Sequence, residues 1–192
     1  MTTPLDPVLR DVPTLVETAR LTLRPPQPGD GPEAYAAVTE SLADLRRYPA
    51  SMRWALAEQS VDSTEKHCRE AHARFIARSD LAYFMFLRGT TTVVGATGLH
   101  RFDWTVPRFE IGYWGRSSYH GRGLVTKGVG ALAAIAVEIL GARRLEIHAD
   151  DANARSWRVC ERLGFALEGI HRQQTIDPDG VLRDMRVYAR IA

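Results

Sequence analysis

The stretch Tyr119-His120-Gly121-Arg122-Gly123-Leu124-Val125-Thr126 decides the reading of this chain, because two glycines there run straight into a long apolar-periodic segment. Glycine lacks a Cβ and enters positive φ freely, so the turn brings backbone N–H groups to a helix start, where the helix dipole is positive. Such a turn is an anion cradle. A Walker-type phosphate loop would need Lys and Ser/Thr after the second glycine, and Leu124-Val125 stand there instead. A dinucleotide fingerprint would need glycine at 126, where Thr126 stands, and an early parallel strand pairing that the order of elements lacks. A plain tight connection stays open on these residues alone.

Outward from the turn, Leu124, Val125, Val129, Leu132, Ile135, Ala136, Ile139 and Leu140 recur at helical spacing, and Gly141 closes the helix. Upstream, Phe109 to Trp114 reads as a strand with Glu110, Gly112 and Trp114 on one face and Ile111 and Tyr113 on the other. Glu110 is conspicuous in so apolar a strand: an edge glutamate in water and a partly buried general base fit its position equally well. Downstream, Arg143 to His148 is a strand, Asp150, Asp151 and Asn153 offer N-caps for a helix from Ala154 to Leu163, and Phe165 to Gln174 with Val181 to Ile191 form a hairpin across Asp177-Pro178-Asp179-Gly180.

Earlier in the chain, residues 1–16 read as a loose arm with prolines at 4, 7 and 13, and residues 17–192 as a single domain. Thr18 to Arg24 alternates as a strand. A helix starts at Asp30, a second short helix spans Ser41 to Tyr48, and another begins at Asp62 and runs to about Arg78. The aromatic connector Tyr48 to Trp54 reads as a core-covering loop, with a wall of a substrate groove as the other reading. Leu81 to Leu87 and Thr92 to Phe102 form a hairpin. The order β-α-α-α-β-β-β-α-β-α-β-β predicts an α/β (α+β mixed) domain with a seven-stranded sheet.

Composition narrows the partners. The 192 residues, 45% hydrophobic and 25% charged, suit one globular domain, and 25 basic against 23 acidic residues give a net charge of +2. That balance offers no field for nucleic acid, and no apolar run is long enough for a membrane span. The start lacks the plan of a signal peptide. Cys68 and Cys160 have no metal-ligand spacing, nor has any pair of histidines, so no metal is expected; two free thiols suit the cytoplasm.

Two further segments carry a resemblance. Gly-Tyr-Trp at 112–114 followed by Tyr119 to Thr126 resembles the acetyl-CoA pyrophosphate loop of the GNAT N-acetyltransferases. Asn153-Ala-Arg-Ser156, ending in Gly164-Phe165, resembles that family's second signature, and Leu167-Glu168-Gly169 with Val187 to Ile191 is similar to its RimJ/RimL branch, which acetylates protein N-termini, notably of ribosomal proteins. The resemblance implies a three-layer fold with a mostly antiparallel sheet, helices on both faces, and two central parallel strands, Phe109 to Trp114 and Arg143 to His148, that splay to admit acetyl-CoA. It implies backbone contacts from Ile111, Gly112 and Tyr113 to the pantetheine, and a pyrophosphate cradle of His120, Gly121, Arg122, Gly123, Leu124, Val125 and Thr126. Asn153 and Ser156 complete the cofactor-binding set.

The catalytic pair implied is Glu110, taking the proton of the amine, and Ser156, protonating the leaving thiolate in place of the tyrosine that many members carry where Cys160 stands. Thr175 takes the place of a glutamate of RimL-like members, and Ser118 that of an anchoring Gln or Arg. The acceptor so implied is a protein N-terminal amine. The alternatives are a small amine such as an amino acid, polyamine or antibiotic, and a module that binds acyl-CoA without catalysis. A homodimer is carried by the resemblance alone.

Overall fold

The computed structural model describes residues 6–48 and 52–192. Eight strands form one sheet: β1 (Val16–Glu17), β2 (Leu21–Arg24), β3 (Leu81–Leu87), β4 (Val93–Asp103), β5 (Arg108–Gly115), β6 (Arg144–Asp150), β7 (Ala166–Ile176) and β8 (Leu182–Ile191). Their spatial order is β1-β2-β3-β4-β5-β6-β8-β7, and every neighbouring pair is antiparallel except β5 with β6. Four helices cover it: α1 (Gly31–Leu45), α2 (Val61–Ile76), α3 (Leu124–Glu138) and α4 (Ala154–Arg162).

Period two sorts the core. Leu21, Leu23, Met85, Phe109, Ile111, Leu145 and Ile147 project to one face and meet Val129, Leu132 and Ala136 of α3 and Val159 and Cys160 of α4. Phe84, Phe86 and Ala96 project to the other, against Ala34 and Ala37 of α1 and Cys68 of α2. A Cβ at Gly128 of α3 would stand 2.1 Å from Met85 Sδ, so glycine there sets how closely α3 lies on the sheet.

Three expectations change. The sheet has eight strands rather than seven, because Val16 and Glu17 pair with Leu23 and Thr22. The arm is not loose over its described residues: Val12 is buried, Tyr83 Oη donates to the Pro13 carbonyl at 2.6 Å and Arg78 Nε to that of Arg10 at 3.1 Å. Residues 1–5 lie outside the described residues. Finally, α1 runs unbroken to Leu45, so no second helix begins at Ser41. Ser41 fits inside it because its hydroxyl donates to the Ala37 carbonyl at 2.7 Å while its oxygen accepts from Ser117 N at 3.1 Å, so its own buried hydroxyl is satisfied. The helix expected from Asp62 begins at Val61, behind a reciprocal Ser60/Ser63 capping box.

The central feature is where β5 and β6 part. Their register holds only at Arg108 with Arg144, Phe109 with Leu145 and Glu110 with Glu146. Beyond Glu110 no pairing joins β5 to β6, so the strands open like a V toward the glycine turn.

Candidate active site

A groove of about 1200 Å³ runs from this opening along α3 and α4. Its walls include Tyr113, Trp114 and Gly115 of β5, the turn at His120, Gly121 and Gly123, the first residues of α3 (Leu124, Val125, Thr126, Lys127), and Asn153, Ser156, Arg158 and Arg162. Gly123 sits at φ 72° as the residue before α3 and Gly121 at φ 75°, the left-handed region that side chains with a Cβ rarely adopt. No side chain caps α3, so the N–H groups of its first turn are left for a ligand.

The turn is held by α1. Ser118 N donates to Glu40 Oε1 at 2.9 Å, Arg116 Nε to Glu40 Oε2 at 2.7 Å, Arg116 Nη1 to Glu33 Oε1 at 2.9 Å, and Ser117 Oγ to Asp44 Oδ2 at 2.6 Å. Hydrogen bonding from Ser118, reinforced by Arg116 against partial burial, brings the Glu40 carboxyl down to about 2. Asp44 is lowered in the same way by Ser117 and also by His120 and by Arg155, whose Nη1 donates to Oδ1 at 3.1 Å. Ser118 therefore anchors the loop through its backbone. Glu33, Glu40 and Asp44 stand seven and four residues apart, one stripe of α1. Read from sequence that stripe is an ordinary solvated face; the spacing was its only signal.

Of the expected cofactor contacts, Tyr113, His120, Gly121, Gly123, Leu124, Val125, Thr126, Asn153 and Ser156 line the groove. Ile111 and Gly112 do not: the Ile111 side chain is buried beneath α3, and Gly112 lies under the His100 ring, where a Cβ would come within 3.1 Å of Cδ2 and Nε2. Arg122 also turns away. It donates to the Ser118 carbonyl at 3.1 Å and lies over the Tyr119 ring, two contacts that hold its guanidinium off the groove wall. Asn153 does double duty, lining the groove and accepting from Ser156 N at 3.2 Å as the cap of α4. Lys127, Arg158 and Arg162 also line the groove, and none has a carboxylate within salt-bridge distance among the described residues. The connector Tyr48 to Trp54 serves both expected purposes at its described ends. Tyr48 and Met52 line the groove, while Trp54 packs on Trp114 with ring centroids 6.2 Å apart; residues 49–51 lie outside the described residues.

Glu110 and Ser156 are not in contact. Glu110 is on the face of α1 and α2, its carboxylate paired with Arg101 Nη1 at 2.5 Å. Arg101 reaches it from a bulge in β4 at φ 48°, a left-handed conformation unusual for arginine. Beside it on β6 is a carboxylate that the sequence reading missed. Although partial burial opposes ionisation, Glu146 is held below the usual carboxylate range by Arg144, 2.5 Å away. Two carboxylates thus flank the point where the strands part, each covered by a guanidinium. Ser156 is on the other face, where its hydroxyl donates to Tyr113 Oη at 3.1 Å.

A groove lined by an anion cradle, by cations without carboxylate partners and by the edge of a strand opening suits an elongated ligand with phosphates and a reactive tip. The chain matches the Acetyltransferase (GNAT) domain family over residues 20–166. It belongs to that family. The acetyl-CoA-dependent acetyl transfer that the resemblance implied is the family's chemistry, and the groove has the parts to hold that co-substrate.

The ribosomal-protein-serine acetyltransferase of Escherichia coli (strain K12) is 28% identical over 141 residues, 73% of this chain and 77% of that one. YdaF of Bacillus subtilis (strain 168), named as a ribosomal N-acetyltransferase, is 36% identical over 98 residues; the match spans about half of each, 51% and 53%. Among solved structures, the L7/L12 α-N-acetyltransferase RimL in complex with coenzyme A superposes with TM-score 0.82 at 24% identity, covering 94% of this chain and 97% of that one. The microcin C7 self-immunity acetyltransferase MccE, in complex with acetyl-CoA and AMP, gives 0.81 at 22% identity, covering 91% and 94%. At these identities the structural likeness establishes the fold alone. Among the described residues no helix is long and apolar enough to cross a membrane, and no three His, Cys, Asp or Glu side chains gather to hold a metal ion.

Proposed function

We propose that the protein acetylates the N-terminal α-amine of a protein, of ribosomal-protein type, in the cytoplasm. The observation that carries this reading is the opening between β5 and β6, reached by the acyl donor along α3 and α4 and by the acceptor from the α1/α2 face. The carboxylates there are Glu110 and Glu146, and Arg101 and Arg144 cover them, so a polycation finds no net negative wall. One amine needs one local base. The similarity to the E. coli ribosomal-protein-serine enzyme supports the same class of acceptor.

In this reading the glycine turn and the first turn of α3 hold the pyrophosphate, the free backbone edge of β5 from Ile111 to Tyr113 pairs with the pantetheine amides, and Lys127, Arg158 and Arg162 face the ligand's distal phosphate. Glu110, directly or through a water, removes the proton of the attacking amine, because an ammonium has no lone pair to attack with. The backbone N–H near Tyr113 faces the thioester oxygen as charge develops on it. Ser156 faces the sulfur. Alignment of the two bound reactants contributes as much as these groups.

The test is a set of acceptors followed by release of free thiol from acetyl-CoA: peptides with a free N-terminus, the same peptides N-blocked but carrying lysine, polyamines, and free amino acids. Turnover is expected with the free N-termini alone, reduced by about 10²–10⁴ in Glu110→Gln. Preference for a polyamine or an amino acid would overturn the acceptor class. Tight acetyl-CoA binding without turnover on any amine would make the protein a binding module.

A further inference from the structure

Helix α4 has no phenol of its own facing the groove, yet a phenol stands beside it. Tyr113 projects from β5 to the α3/α4 side, and its oxygen lies 3.1 Å from Ser156 Oγ, 2.9 Å from the Ser156 carbonyl oxygen and 3.6 Å from Cys160 Sγ. The hydrogen bonds form a short chain: Ser156 Oγ–H donates to the phenol oxygen, and the phenol O–H donates to the Ser156 carbonyl. Both side chains line the groove at its strand-opening end. Burial drives the phenol well above its ordinary range, so it remains a neutral O–H donor throughout, and burial likewise pushes the Cys160 thiol up to about 11. The third member of the cluster is therefore inert packing, and the two hydroxyls are the working pair.

We infer that Tyr113 is the positioning residue for Ser156 during departure of the thiolate, through a hydroxyl chain that reverses its direction. This rests on the reading in which Ser156 faces the departing sulfur. At rest the chain runs from Ser156 to Tyr113 to the Ser156 carbonyl. As the tetrahedral adduct collapses, the C–S bond breaks and its electron pair goes to sulfur. Ser156 Oγ–H turns to that sulfur, and Tyr113 O–H turns from the carbonyl to Ser156 Oγ, across the same 3.1 Å.

Only hydroxyl hydrogens rotate, so no heavy atom has to move. Neither hydroxyl ionises; the proton that the amine nitrogen gives up ends on the sulfur or in solvent. A hydroxyl that accepts one hydrogen bond while donating another is the stronger donor, so the phenol raises the hold of Ser156 on the thiolate. The carbonyl released by Tyr113 keeps Cys160 Sγ, 3.9 Å away, as a weak donor.

The experiment compares the wild type, Tyr113→Phe, Ser156→Ala and the double variant in single-turnover transfer to a peptide with a free N-terminus. The donors are acetyl-CoA and its selenoester analogue, whose selenolate is a stable anion that leaves without help. Phenylalanine keeps the ring that packs on α4, and thermal unfolding with acetyl-CoA calorimetry verifies that each variant folds and binds. Tyr113→Phe is expected to slow transfer from the thioester by roughly tenfold, the effect of one lost hydrogen bond to a charged group, with acetyl-CoA affinity kept within about twofold. On the selenoester the deficit shrinks to about twofold, and the double variant is no slower than Ser156→Ala. An equal deficit on both esters, no deficit on the thioester, or full additivity in the double variant would overturn the inference. Ser156→Ala that slows both esters equally would remove the Ser156 reading and the inference with it. Ser156→Ala that responds to the leaving atom beside a Tyr113→Phe that does not would remove the inference alone.

Discussion

Replacing Glu40 by glutamine tests whether α1 holds the phosphate turn in place. The carboxyl falls from an unperturbed 4.5 to about 2 in the folded protein. At 1.36 kcal/mol per tenfold in proton affinity, that corresponds to at most about 3 kcal/mol of stability. The side chain is 33% exposed, so solvent screening brings the expected loss to about 1–2 kcal/mol, a fall of roughly 2–8 °C in melting temperature for a chain of this length. The sign follows from a depressed acid: the contribution is complete above the unfolded value near 4.5 and disappears as pH falls from there toward 2. Urea unfolding of wild type and Glu40→Gln at pH 7, 5.5, 4.5 and 3.5 is the assay. The gap should be widest at pH 7 and 5.5, begin to close near 4.5 and be clearly narrower at 3.5. A gap that is constant with pH, or absent at pH 7, would refute the argument, because the stabilisation would then not come from an ionised Glu40 gripping Ser118 and Arg116.

Other perturbations probe neighbouring parts of the structure. Gly128→Ala places a methyl 2.1 Å from Met85 Sδ and 3.2 Å from its Cγ, so calorimetry should find about 1–3 kcal/mol of destabilisation from overpacking, partly relieved when Met85 is also shortened to alanine. Changing Arg158 and Arg162 together to alanine should weaken acetyl-CoA several-fold at low salt in titration calorimetry and lessen the salt dependence of binding, with little effect on a dephosphorylated coenzyme A. Burial raises Cys68 to about 12 and Cys160 to about 11, so at pH 8 an alkylating reagent should modify neither in the native protein and both after unfolding in urea, as read by mass spectrometry.

The sequence disclosed the fold well because its strongest signals are local. Period two over Phe109 to Trp114, helical spacing from Leu124 to Leu140, and glycines where φ is positive each specify an element without reference to distant residues. The candidate site was less legible in proportion to its long-range character. The glycine turn could be read, but what pins it, Glu33, Glu40 and Asp44, lies more than 70 residues earlier and looks like a wet helix face. Ser156 could be singled out, but its partner Tyr113 is 43 positions away on a strand, where an aromatic residue passes for core. Glu146 was hidden because period two in Leu145-Glu146-Ile147 fits a solvated outer face as readily as the mouth of a cleft. The connector into β1 was missed for a related reason: prolines signal irregular backbone, but irregular backbone still packs when a buried Tyr83 hydroxyl and an Arg78 guanidinium take its carbonyls.

Three residue pairs make up the whole ladder between β5 and β6, so the sheet is an arch whose centre is left unbuilt. Five strands stand on one side and three on the other, bridged mainly by helices. In the proposed reading the coenzyme completes the masonry as well as delivering an acetyl group: with its amides laid along the bare edge of β5, it would be the keystone. A protein built this way would be sturdier loaded than empty, and each release of spent coenzyme would return it to the weaker state in which the next molecule can enter.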